Sequence, residues 1–249
     1  GGTGEIIEPF MAALEMIHNY SLVHDDLPAM DNDEYRRGKL TTWKVYGECM
    51  AILAGDGLLN FAFETASNAF RMVDKEYGTD PAQQLKTYRA VGRSMQILSK
   101  KAGIYGMIGG QTADIEAEGR NDLTEELLLF IHEHKTAAMM ECAMIIGAAL
   151  AGASQSDIEK MERAASNIGI AFQIQDDILD ITSTTEVLGK PVGSDEKNHK
   201  TTYVTLKGLE RSQRDVEDIS KKAIDILEKY DKGDCYLTNL TRFLIHRTH

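Results

Sequence analysis

Apolar residues recur at steps of three and four along most of this chain. Ile7, Met11, Leu14, His18, Ser21 and Asp25 fall on one helical stripe; Ile158, Met161, Ala165, Ile168, Phe172, Asp176 and Asp180 fall on another. Both stripes start apolar and end in aspartate. Between the glycines, Ala, Leu, Ile, Met, Glu and Lys dominate, and there are only four prolines. Helix propensity is therefore favourable nearly throughout, and an all-α fold is predicted.

The first helix is predicted to stop at Pro28, because the residue before a proline is pushed out of the αR region. Residues 31–37 then form a polar turn or short helix. A second helix is expected over 44–70, with Gly55 and Gly57 flanking Asp56, and a third runs from 82 to the glycine-rich stretch 103–110. Residues 115–122 read as a connection, and Thr124 with Glu125 opens a helix pair that ends near 152. Residues 182–199 hold Gly189, Pro191 and Gly193 and read as a long loop of the kind that carries function. Amphipathic stretches over 212–230 and 234–245 close the chain.

Composition narrows the partners. The formal net charge of −12 disfavours a nucleic-acid or anionic-membrane surface, which needs clustered Lys and Arg. Cys49, Cys142 and Cys235 are odd in number and far apart, so neither a disulfide framework nor a zinc cluster is indicated. No apolar run is long enough to cross a bilayer and no signal pattern stands at the N-terminus. A soluble, cytoplasmic protein of one large domain (residues 1–249) without stable membrane association is the expectation.

The chemistry lies where the stripes turn acidic. On a helix, Asp176 and Asp180 differ by about 40° and one turn, so their carboxylates share a face and repel unless a cation intervenes. Hard oxygens that supply part of a coordination sphere suit Mg²⁺, with substrate phosphates completing it. Asp25 and Asp31 stand six apart and need a break in the helix to come together, and Pro28 supplies it. Arg36, Arg37, Lys135, Lys190 and Lys200 add local positive charge able to hold phosphate oxygens in an acidic protein.

In this order, these residues resemble the trans-isoprenyl diphosphate synthases. HDDLPAMDNDEYRRGK is similar to the family's first aspartate-rich motif and FQIQDDILD to its second. GDGLL around Asp56, Gly110-Gln111, Lys135-Thr136 and Gly189-Lys190 extend the likeness over essentially the whole chain. The resemblance implies an all-α bundle around a central cavity, with three Mg²⁺ ions on the diphosphate of an allylic substrate. It assigns Asp25, Asp26, Asp31, Asp176 and Asp180 to the metals or their immediate partners and counts Asp177 and Lys135 with them as catalytic. Arg36, Lys135, Thr136, Gln173, Lys190 and Lys200 would surround the allylic diphosphate, and His18 and Arg37 the isopentenyl diphosphate. A homodimer is implied as well. One departure stands out: a Gly-Lys-x-x-Arg-Pro segment that normally lies upstream is absent, so several tens of residues, including N-terminal helices, are expected to precede Gly1.

The implied reaction breaks the allylic C–O bond, adds the isopentenyl double bond to the resulting cation, and loses a proton to give a longer allylic diphosphate. No side-chain nucleophile is needed. Tyr20, five positions before Asp25 and roughly 7–8 Å deeper along the helix, is expected to floor the tunnel, with small Ser21 beside it. A fifteen-carbon product follows, with a twenty-carbon product of the same family as the alternative. Three other readings compete. A terpene cyclase would carry an Asn/Ser/Glu-type second motif, and a non-catalytic partner subunit would lose an aspartate motif. An acidic helical interaction protein would use its aspartates for Ca²⁺ or for nothing.

Overall fold

The protein's computed structural model describes residues 4–118, 120, 122–182, 201–233 and 235–247. The all-α expectation holds. After a 3₁₀ turn at Glu5–Ile7 come α1 (Glu8–Asp25), a two-strand ribbon of β1 (Tyr35–Arg36) and β2 (Lys39–Leu40), α2 (Thr42–Tyr46), α3 (Glu48–Tyr77), α4 (Pro81–Ala102) and α5 (Met107–Ala117). Next, α6 (Glu125–Ile131) runs through a π-helical turn (His132–Ala137) into α7 (Ala138–Leu150), followed by α8 (Gln155–Thr182), α9 (Tyr203–Lys207), α10 (Leu209–Leu227) and α11 (Tyr236–Ile245). Among the described residues, no helix is long and apolar enough to cross a membrane.

Backbone contacts divide the chain into two compact units, residues 1–98 with 149–152, and residues 99–148 with 153–249. In the first, α1 packs on α3. Phe10, Ala13, Ile17 and Tyr20 of α1 are buried, as are Ala51, Ala62, Ala66, Ala69 and Val73 of α3. The alanines let the helix axes approach closely, so the large side chains come mainly from α1. This corrects the stripe read from the sequence. Met11 is 59% exposed and His18 is exposed, while the buried face runs through Phe10, Ala13, Ile17 and Tyr20, a parallel set of three- and four-residue steps. Asp25 thus stands beside the end of the buried face and not on its axis.

The second unit is built on α8 packed against α10. Ala171, Ile174 and Ile178 of α8 meet Leu128, Tyr203, Val204 and Val216 in one apolar cluster. Lys101 reaches both Glu141 of α7 and Glu162 of α8, the latter at 2.8 Å, and ties three helices together. The boundaries differ from the sequence reading at several places: a two-strand ribbon starts at Tyr35 where a turn or short helix was read over 31–37, and α5 starts inside the glycine-rich stretch 103–110 and runs to Ala117, into the connection read over 115–122. Gly47, with φ of +88°, separates α2 from α3. Residues 125–150 form one helical run with a π turn in place of a pair, and α9 falls where no helix was expected. Thr124 does cap α6, its side chain accepting from Leu127 N at 3.3 Å. The loop read over 182–199 lies outside the described residues, apart from Thr182, which ends α8.

Candidate active site

The first aspartate motif is shaped by local hydrogen bonds. Past the end of α1, Leu27 N donates to His24 O at 3.1 Å, Asn32 N to Leu27 O at 3.0 Å, and Asp31 N to Asp25 O at 2.9 Å. The break at Pro28 therefore folds the chain back until Asp31 is hydrogen-bonded to Asp25, as the spacing required. Asp31 is exposed and Asp25 half-buried. Asp26 takes a different course. It is 4% exposed, and Arg36 Nε and Nη2 both donate to its Oδ1, at 2.7 and 2.6 Å. Arg36 is delivered by β1, whose turn to β2 places Arg37 and Gly38 at positive φ, as a two-residue hairpin of right-handed twist needs. Burial opposes the Arg36 charge, but the hydrogen bond to Asp26 and the charges of Asp26, Asp25 and Asp33 prevail and raise its pKa. Arg37 and His18 are exposed.

Beneath this turn, Tyr20 is 6% exposed, and burial, helped by the charge of Asp25, pushes its phenol up to about 12. Its ring meets His24 edge-on at 5.7 Å. His24 Nε2 lies 3.1 Å from Ile52 O and 3.9 Å from Asp56 Oδ1. Gly55 makes room for that imidazole: a Cβ there would lie 2.0 Å from Nε2. Ser21 spends its hydroxyl on His18 O at 2.8 Å.

The second motif draws its support from distant parts of its unit. Asp177 Oδ2 accepts from Tyr203 N at 2.7 Å and so holds the start of α9, while Tyr203 donates its hydroxyl to Asp215 at 2.9 Å. Asp180 is 3% exposed. The Asp176 side chain is 45% exposed and is paired with Arg247, which also donates to Phe172 O at 3.2 Å and stacks on the Phe172 ring at 3.5 Å. Burial lowers the Arg247 pKa, with Asp176 pulling the other way. Gln173 links this carboxylate to the π turn: Thr136 Oγ1 donates to Gln173 Oε1 at 2.9 Å, and Gln173 Nε2 approaches Asp176 Oδ2 at 3.4 Å. Lys135, next to Thr136, donates to Asp114 Oδ2 at 2.6 Å.

Most of the expected residues are thus described and fall into two groups, Asp25, Asp26, Asp31 and Arg36 in one unit, Lys135, Thr136, Gln173, Asp176, Asp177 and Asp180 in the other. Lys190 and Lys200 lie outside the described residues. Sequence reasoning missed Asp114, Arg247 and the capping role of Asp177. A lone aspartate in a glycine-rich helix and an arginine near the end of the sequence carry no local signal; only the fold brings them to the motifs. The donor chemistry fits Mg²⁺. Asp25 and Asp31 in the first unit, and Asp176 in the second, each offer hard carboxylate oxygens, and among the described residues no three His, Cys, Asp or Glu side chains form a ready-made cage. A partial set of protein oxygens is what an ion bound through substrate phosphates requires.

The structure thus presents an all-α chain with two aspartate motifs, each with an arginine paired to one of its carboxylates. The family model for polyprenyl synthetase matches residues 3–235, and the chain belongs to that family of prenyltransferases. It is 44% identical to a geranylgeranyl diphosphate synthase of Cyanophora paradoxa, covering 100% of this chain and 79% of that protein. It is 48% identical to a farnesyl diphosphate synthase of Geobacillus stearothermophilus, covering 81% of this chain and 63% of that protein. Among solved structures, a Helicobacter pylori geranyltransferase complexed with magnesium and isoprenyl diphosphate matches with a TM-score of 0.76 and 32% identity, over 95% of this chain and 73% of that one.

Proposed function

We propose that the chain catalyses the Mg²⁺-dependent head-to-tail (1′-4) condensation of isopentenyl diphosphate with dimethylallyl or geranyl diphosphate, and that its product is farnesyl diphosphate. One observation carries the reading: each motif divides its carboxylates between framework and chemistry. Asp26 holds Arg36 and Asp177 holds the start of α9, whereas Asp31 is exposed, Asp25 is half-exposed, and Asp176, though paired with Arg247, keeps a side chain that is 45% exposed. Asp25, Asp31 and Asp176 are the residues that would hold the ions.

Bound Mg²⁺ supplies the positive charge that stabilises diphosphate as it leaves. Lys135, Thr136 and Gln173 grip and orient phosphate oxygens from one short stretch of hydrogen bonds, which fixes the direction in which the C–O bond opens. Arg36 keeps Asp26 neutralised, so the turn that presents Asp25 and Asp31 stays closed despite its negative charge. The Geobacillus relative is named for a farnesyl product and the H. pylori protein holds magnesium with an isoprenyl diphosphate; both support this reading.

Chain length is assigned to Tyr20, whose buried ring lies below Asp25 on α1. A twenty-carbon product is the second reading, favoured by the likeness to the Cyanophora geranylgeranyl synthase over the whole chain. Incubation with geranyl diphosphate, labelled isopentenyl diphosphate and Mg²⁺ is expected to give a fifteen-carbon diphosphate. A twenty-carbon product overturns the length assignment, and absence of any extended product overturns the reaction. Tyr20→Ala is expected to shift the distribution beyond fifteen carbons, and an unchanged chromatogram sinks the floor assignment.

A further inference from the structure

The Lys135 ammonium is held by a device built from α5, the π turn and one glycine of α8. Gly110 and Asp114 are four residues apart on α5, hence on one face of it. At Gly110 that face has no side chain, and the π turn fills the gap: a Cβ there would lie 2.1 Å from Lys135 N and 2.5 Å from His134 C. One turn further along, Asp114 takes the Lys135 ammonium at 2.6 Å. On the other side of the turn Gly169 of α8 allows the same approach, since its Cβ would meet that of Ala137 at 2.3 Å. Two glycines therefore clamp a widened helical turn, of a kind that concentrates at functional sites, and one carboxylate aims the side chain that leaves it.

The burial is graded. The Asp114 side chain is 9% exposed and that of Lys135 26%, so the carboxylate is the more buried partner of the pair. An ammonium carries three N–H donors, and a single carboxylate oxygen leaves it capacity for phosphate oxygens. A lysine stem has four rotatable bonds and is a poor positioning element unless something fixes its head. We infer that Asp114 is a positioning residue for the allylic diphosphate, acting through Lys135. The inference rests on the reading given under Proposed function.

The test is a double-mutant cycle on the full chain with Asp114→Asn, Lys135→Met and the pair, read as KM for each substrate together with calorimetric binding of inorganic diphosphate in Mg²⁺. Asp114→Asn is expected to raise the allylic KM about tenfold, the worth of one charge-assisted hydrogen bond, and to leave the isopentenyl KM within about twofold. Diphosphate binding should weaken in parallel, and Asp114→Asn should have no further effect in the Lys135→Met background. The pair removes both charges of the ion pair together, so if Asp114→Asn alone unfolds the protein, comparison of the pair with Lys135→Met still reads what Asp114 does once the ammonium is gone. An Asp114→Asn effect that persists in full in the Lys135→Met background, or that falls equally on both substrates, overturns the inference. If the wild type elongates nothing yet binds diphosphate in a way that depends on Asp114 and Lys135, the reaction assignment fails and the positioning role stands.

Discussion

The two aspartate motifs look alike as strings of letters and are supported in opposite ways. In the first, the groups that fix the carboxylates come from close by: Asp31 N on Asp25 O, and Arg36 on Asp26, ten residues away. In the second, they come from far along the chain: Tyr203 N on Asp177 at a separation of 26 residues, and Arg247 on Asp176 at 71. A local turn can form as soon as its own residues are in place, whereas a motif held by distant partners forms only when its whole unit has folded. The first motif is therefore predicted to fail by losing a local charge balance, the second by losing the docking of remote segments.

The largest expected effect tests whether both motifs belong to the chemistry. Asp25→Asn and Asp176→Asn remove one negative oxygen from each without changing shape, and each is expected to cost about 10²–10³-fold in kcat, the scale of losing one electrostatic contact to a departing charge. Steady-state kinetics at saturating Mg²⁺ measures it. If either variant keeps more than a tenth of wild-type turnover, that motif is dispensable and the comparison becomes one of an active site with a structural helix end.

Next comes Arg36→Gln. Asp26 is buried with a 5% exposed side chain, and its partner Arg36 is 32% exposed. Removing the guanidinium leaves a buried carboxylate without its cation, which costs about 3 kcal/mol where solvent reaches one partner. Denaturant unfolding should show that loss, and a double variant with Asp26→Asn should recover most of it. Failure of the second change to rescue the first would mean that Arg36 acts elsewhere, for instance on a phosphate, as the resemblance alone suggested.

These outcomes bear on what could be read from the sequence. Helix content, the break at Pro28 and the Thr124 cap followed from local rules of periodicity, proline sterics and side-chain capping, while the two motifs were picked out by their resemblance to a family. The buried face of α1 did not: two parallel sets of apolar steps exist there, and the alanine face of α3 selects the one through Phe10 and Ile17. The π turn was invisible for a similar reason, since the two glycines that let it pack closely, Gly110 and Gly169, stand on other helices. Arg247 and Asp114 belong to the same class, because nothing near them in sequence marks the carboxylate or ammonium they meet.

A smaller effect is expected at Arg247, which stacks on Phe172 and pairs with Asp176. Arg247→Gln should raise the Mg²⁺ concentration for half-maximal rate about three- to fivefold, in keeping with a charge-assisted contact that one partner shares with solvent. Arg242→Gln, which breaks a surface pair between α11 and Glu228, serves as the comparison. Equal shifts in both variants would show that loosening α11, and not the contact to Asp176, is what matters.

The smallest effect separates framework from chemistry within the second motif. Asp177 Oδ2 accepts from Tyr203 N, the first N–H of α9, whose other early donor at Thr205 is met by Thr202 in a capping box. A helix start left without an acceptor costs about 1 kcal/mol, so Asp177→Ala should lower unfolding stability by that amount. Asp177→Asn keeps an acceptor oxygen at the same place and removes only the charge. If Asp177 is framework, the asparagine variant retains nearly full stability and turnover, and the two aspartates of the pair have separate duties. If asparagine instead matches the kinetic loss of Asp176→Asn while stability is unchanged, the charge itself is required, and Asp177 joins the metal-facing carboxylates despite its bond to α9.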